Sequence, residues 1–81
     1  MSKSLRSPRH RRLQRFLAQI RAEAGLTQTQ LADRLRRPQS FVAKYEGGER
    51  RLDVIEFVSV VEALGIDPVD AIAQLLTKNQ R

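Results

Sequence analysis

Residues 27–48 read TQTQLADRLRRPQSFVAKYEGG, and their reading decides the fold. Thr27 to Gln30 form a T-x-x-Q capping box, in which the cap hydroxyl accepts the N–H of the third helical residue and that residue's side chain returns to the cap. Leu26 before the cap and Leu31 at the fourth helical position supply the hydrophobic staple. The helix continues through Ala32 and Leu35. Pro38 forbids its extension, because the residue ahead of a proline is driven out of the helical region. This places a short helix over 28–35. Gln39 to Glu46 then run without a breaker until Gly47 and Gly48. On a helical wheel Phe41, Val42, Tyr45 and Glu46 share one side, and Gln39, Ser40, Ala43 and Lys44 the other. A second short helix, 39–46, therefore packs with one face and presents a polar face with a small residue in its middle.

Outward from this pair the start and stop signals repeat. Ser7 and Pro8 read as N-cap and first helical residue. Leu13, Phe16, Leu17 and Ile20 fall at i, i+3, i+4 and i+7, and Gly25 supplies the stop, which gives a first helix over 8–24. Met1 to Ser7, with Lys3 and Arg6, hold too little apolar surface to offset their own ordering entropy and are expected to form a flexible basic arm. Downstream, Asp53 caps a fourth helix with Glu56 three residues on, Leu52 staples Phe57, and Gly65 closes it after Leu64. Asp67 and Pro68 open a fifth, whose apolar side is Val69, Ile72, Leu75 and Leu76, ahead of a polar tail at 78–81. No run alternates with period two, so the expectation is an all-α bundle of five helices over 8–77.

Eighty-one residues allow one small domain, and 41% hydrophobic with 30% charged residues is a foldable balance. The absence of cysteine excludes a disulfide frame, and a single His cannot close a zinc site, so no metal and no cofactor is expected. The lone His and the lack of a Gly-rich phosphate loop also argue against an enzyme. No apolar run reaches the length of a membrane span or a signal peptide, which points to the cytoplasm. The net charge of +6 calls for a polyanionic partner. That charge is uneven. Residues 1–51 carry thirteen of the fifteen Lys and Arg against four acids, whereas 52–81 carry two against five. A membrane surface fits poorly, because the stripe of Leu13, Phe16, Leu17 and Ile20 that would insert is the one the domain needs as core.

Two helices of about eight residues joined by a tight turn form the helix-turn-helix unit, whose second helix can enter the DNA major groove. The run Arg21-x-x-x-Gly25-Leu26-Thr27-Gln28-x-x-Leu31-Ala32, followed by Gln39-Ser40, Glu46-Gly47-Gly48 and Ala63-Leu64-Gly65-Ile66, sharpens the reading. Over about 12–67 it strongly resembles the Cro and phage-repressor helix-turn-helix family, the xenobiotic-response-element family of bacterial and phage regulators. The resemblance implies a sequence-specific binder of double-stranded DNA, a repressor acting as a homodimer on a palindromic operator. It implies that Gln39, Ser40, Ala43 and Lys44 read bases. It implies that Gln28 bonds a phosphate and orients Gln39, with Arg36, Arg37, Arg50, Arg51 and Arg11 as further phosphate contacts beside Arg12 and Arg15. Arg21 and Glu46 match a structural ion pair of that family. Val69, Ile72, Leu75 and Leu76 are the candidate dimer seam. The alternative is an antitoxin or adapter that engages a toxin or other protein through the fifth helix.

The sequence departs from the family pattern in the turn. Arg36 stands where a Gly is usual, so either it adopts a left-handed backbone or Arg36-Arg37-Pro38 turns differently. Pro38 replaces the usual Ser or Thr cap, which leaves the first N–H groups of the next helix without a side-chain partner.

Overall fold

The computed structural model describes residues 7–78, which fold into five α-helices and no strand. They are α1 (Pro8–Glu23), α2 (Gln28–Leu35), α3 (Gln39–Glu46), α4 (Val54–Ala63) and α5 (Pro68–Lys78). The all-α fold is the expected one. The proposed basic arm, Ser7 apart, and the polar tail, Lys78 apart, lie outside the described residues.

The starts of α1, α2 and α4 are built from their caps. The Ser7 hydroxyl accepts the His10 N–H at 3.1 Å. Both capping boxes close reciprocally. Gln30 N–H donates to Thr27 Oγ1 at 3.0 Å, and Thr27 N–H to Gln30 Oε1 at 2.9 Å. Glu56 N–H donates to Asp53 Oδ1 at 2.7 Å, and Asp53 N–H to Glu56 Oε1 at 3.0 Å. Helix α1 stops one residue short of the spacing's limit, since Ala24 is already its C-cap and Gly25 takes φ +77°. At the other end α5 runs through Lys78, past its last apolar residue.

The turn between α2 and α3 settles the Arg36 alternative. Arg36 adopts the left-handed conformation, φ 58° and ψ 41°, and the Arg37 N–H reaches back to the Ala32 carbonyl at 3.0 Å. A Cβ in that region costs roughly 1–2 kcal/mol, so a glycine turn has been kept without its glycine.

Packing brings α2 against α3 and α4, α1 against α3 and α5, and α4 against α5. Leu17, Leu31, Val42, Tyr45, Val60 and Val61 are buried at the centre. Side chains of this class stabilise by roughly 1.5–3 kcal/mol each when fully buried. Arg34 adds a polar tie, donating from Nη1 to the Ala63 carbonyl at 2.9 Å at the C-terminal end of α4. The core contact of α5 is Ala71, completely buried, and Leu75 one turn on leans onto the same core. The four residues of the seam expected on α5 differ in exposure. Leu75 shares the face of Ala71, whereas Val69, Ile72 and Leu76 remain 76%, 44% and 51% exposed. Val54 and Ile55 at the start of α4 are also exposed, at 75% and 73%.

Candidate nucleic-acid interface

The outward face of α3 is the one the helical wheel selects. Phe41, Val42 and Tyr45 are buried, Gln39, Ser40 and Lys44 are exposed, and Ala43 is half-buried between them. The rings of Phe41 and Tyr45, one turn apart on α3, meet edge to face, 5.3 Å between centroids, and their burial with Val42 in the core fixes the rotation of α3 on the domain. Burial pushes the Tyr45 phenol pKa up, and the neighbouring Glu46 adds to the shift. Pro38 is the N-cap and makes no side-chain cap bond.

A relay of hydrogen bonds runs from α1 to the first residue of α3. Arg21 donates through Nε to Glu46 Oε2 at 2.8 Å and through Nη2 to Glu46 Oε1 at 3.0 Å. Its Nη1 donates to the Leu26 carbonyl at 2.8 Å. These side chains are 18% and 7% exposed, and their mutual hydrogen bonds raise the Arg21 pKa further. Glu46 Oε1 also accepts from Gln28 Nε2 at 3.0 Å, and Gln28 Oε1 accepts from Gln39 Nε2 at 2.8 Å. An amide nitrogen carries two hydrogens, so Gln28 keeps one for an outside acceptor while its oxygen orients Gln39. The structure thus places Arg21, Glu46, Gln28 and Gln39 in one connected network.

Beside α3 lies a second cluster. Arg50 donates from Nη1 to Glu56 Oε1 at 3.0 Å and to the Arg51 carbonyl at 2.8 Å, and from Nη2 to Glu56 Oε2 at 2.9 Å. The Arg37 guanidinium sits 3.8 Å from Glu56 Oε2. Both cations cover the Phe41 ring, with Arg37 Cζ 3.9 Å and Arg50 Cζ 4.9 Å from its centroid. The Arg50 hydrogen bonds, the Asp53 backbone N–H and the Coulomb field of the two arginines hold the Glu56 carboxyl down to about 2. Arg37 and Arg50 join Ser40, Lys44, Phe41 and Glu49 around one shallow concavity flanking α3.

The other expected phosphate contacts differ in exposure. Arg36 is exposed in the turn, Arg11 and Arg15 are exposed on α1, Arg12 is half-buried, and Arg51 is exposed in the loop after α3. Burial first, and then the charge of Arg51, lower the His10 pKa. From the sequence Glu56 is legible only as a helix cap and Phe41 only as core. The signal for their second roles was thin: two arginines and a glutamate across a loop, with no helical spacing to pair them. Among the described residues no group of acidic or His side chains is arranged to hold a metal, and no helix is long and apolar enough to cross a membrane.

Comparison with known proteins agrees with this architecture. Residues 12–75 match the family model of a helix-turn-helix domain. An XRE-family-like protein from Pseudomonas syringae pv. tomato strain DC3000 superposes with a TM-score of 0.84 at 44% identity, over 95% of this chain and 94% of that one. The clp gene regulator ClgR from Corynebacterium glutamicum shares the fold, with a TM-score of 0.77 at 24% identity over 89% of this chain and 77% of its own. Among curated protein sequences there is no match. A family match spanning most of the chain and the close likeness to the Pseudomonas protein lead to one conclusion: the chain belongs to the XRE-type helix-turn-helix family of DNA-binding transcriptional regulators.

Proposed function

We propose that the chain is a repressor that reads a palindromic operator by laying α3 in the major groove. The hydrogen bond from Gln39 to Gln28 carries the reading. It holds a base-reading amide at the start of an exposed helix face and leaves a donor on Gln28 for the adjoining phosphate. Gln39 suits adenine N6 and N7, Lys44 suits guanine O6 or N7, Ser40 bonds either kind of edge, and Ala43 admits a thymine methyl. Arg11, Arg36, Arg37, Arg50 and Arg51 supply phosphate contacts, which fix register and confer salt-dependent affinity. The binding unit spans 8–77 and works in the cytoplasm, where its operator is.

One such helix covers few base pairs, so two copies on half-sites about 34 Å apart are needed for a unique site. Val69, Ile72 and Leu76, exposed on α5, are the seam we assign to that pairing. Selection of bound duplexes from a random pool is the test. Enrichment of a palindrome with half-sites one helical turn apart is expected, and recovery of duplexes without any shared sequence would overturn the reading. The same α5 patch supports a second reading, an antitoxin or adapter that covers it with another protein. Sedimentation of the purified chain separates the two: a dimer favours the first, and a monomer at all concentrations the second.

A further inference from the structure

The two guanidinium groups that hydrogen-bond a carboxylate are engaged along different edges. Arg21 meets Glu46 with its Nε and Nη2 edge and gives Nη1 to a carbonyl. Arg50 meets Glu56 with the opposite end, Nη1 and Nη2, and its second Nη1 hydrogen goes to the Arg51 carbonyl. Its Nε–H and the second Nη2–H lie parallel on one edge and have no partner among the described residues. That edge is the fork that binds a carboxylate or phosphate bidentately. Arg50 lines the concavity that holds Ser40 and Lys44 of the exposed α3 face. The acids nearby are Glu49 in the same concavity and Asp53, whose charge acts on Arg50.

We infer that Glu56 is a positioning residue for DNA: it clamps Arg50 by one end across Phe41 so that the free edge is fixed as a ready phosphate fork beside α3. The inference rests on the DNA-binding reading above. A carboxylate near DNA ordinarily repels it, and removing one should tighten binding. A carboxylate that fixes a long cationic side chain does the opposite, because the ordering of that side chain is complete before the phosphate arrives. The low pKa of Glu56 keeps the clamp ionised wherever DNA is bound.

The sign of the effect therefore decides. Glu56→Gln preserves the capping box, since Gln serves at that position as well as Glu. Binding of a mixed-sequence duplex is measured for the wild type, Glu56→Gln, Arg50→Ala and the double variant, across a range of salt. Glu56→Gln is expected to weaken binding roughly two- to tenfold. In the Arg50→Ala background the same change should give no loss, or a gain, and Arg50→Ala should lower the salt slope by about 0.9. Tighter binding by Glu56→Gln in the wild-type background would overturn the inference, as would an equal loss in both backgrounds. Failure of the wild type to bind any duplex would sink the DNA reading itself. Arg50 Nε–H resonances followed by NMR during titration with inorganic phosphate would then judge the clamp alone. A shift in the wild type that is absent in Glu56→Gln supports it, and equal behaviour in both refutes it.

Discussion

Arg21 with Glu46 and Arg50 with Glu56 are chemically the same pair set in different surroundings. The first is nearly enclosed, and its guanidinium has its Nε and Nη2 edge closed by carboxylate and its Nη1 by a backbone carbonyl. The second stands at the surface with one edge open. An enclosed pair whose Nε and Nη2 edge is closed by the carboxylate fixes one helix against another. An open pair can hold one anion while offering itself to a second. The placement of α3 and its outward chemistry are thus divided between two copies of one motif.

The largest effect expected from this contrast is on stability. Arg21→Ala or Glu46→Ala should each cost about 3 kcal/mol, because the remaining charge is left desolvated without its partner. The double variant should lose less than the sum. Denaturant titration of the four proteins gives the coupling, and additive losses would erase the distinction between the pairs. Arg50→Ala, by the same measurement, should shift the midpoint far less.

Next in size are the effects on recognition. Gln39→Ala and Lys44→Ala should each cost about 1–3 kcal/mol on the selected operator and relax preference at one base pair. Gln28→Ala should do part of both, since it releases Gln39 as well as a phosphate donor. Binding to every single-base variant of the operator checks this. A uniform loss for Gln39→Ala over all of them would remove α3 from the groove.

A smaller change is expected in ionic response. Arg51→Ala should weaken right and wrong sequences alike and lower the slope of log affinity against log salt by about 0.9 per chain. An unchanged slope would take Arg51 out of the contact set. The smallest effect is on acid stability. The Glu56 carboxyl titrates near 2 in the folded chain against 4.5 in the unfolded one. Its contribution is therefore complete above pH 4.5 and fades as pH falls from there toward 2. Glu56→Gln should flatten that part of the stability profile, and an unaltered acid limb would show the pair to be energetically silent in solution.

Helix limits and the polar face of α3 were legible because caps and wheels are local: Thr27, Asp53 and Pro38 declare themselves within four residues. The Gln28 to Gln39 bond was reached only through family resemblance, since no local rule pairs residues eleven apart. Glu56 illustrates what stayed hidden. Its capping role accounted for it locally, and its hold on Arg50 depends on the path of a loop that no periodicity describes. Leu75 shows a finer limit. A helix of apolar residues wider than one face does not say which of them meets the core until Ala71 fixes the rotation.

Arg36 bears on how much sequence change this domain tolerates. A margin of roughly 5–15 kcal/mol separates a typical domain from unfolding, and an average substitution removes about 1 kcal/mol of it. The left-handed arginine has already used an amount of that order. Variants descended from this chain thus start about one substitution nearer the threshold than a glycine-bearing sibling would. Gly at 36 is the change most apt to restore mutational room elsewhere, in the α3 positions that would have to vary for the protein to acquire a new operator.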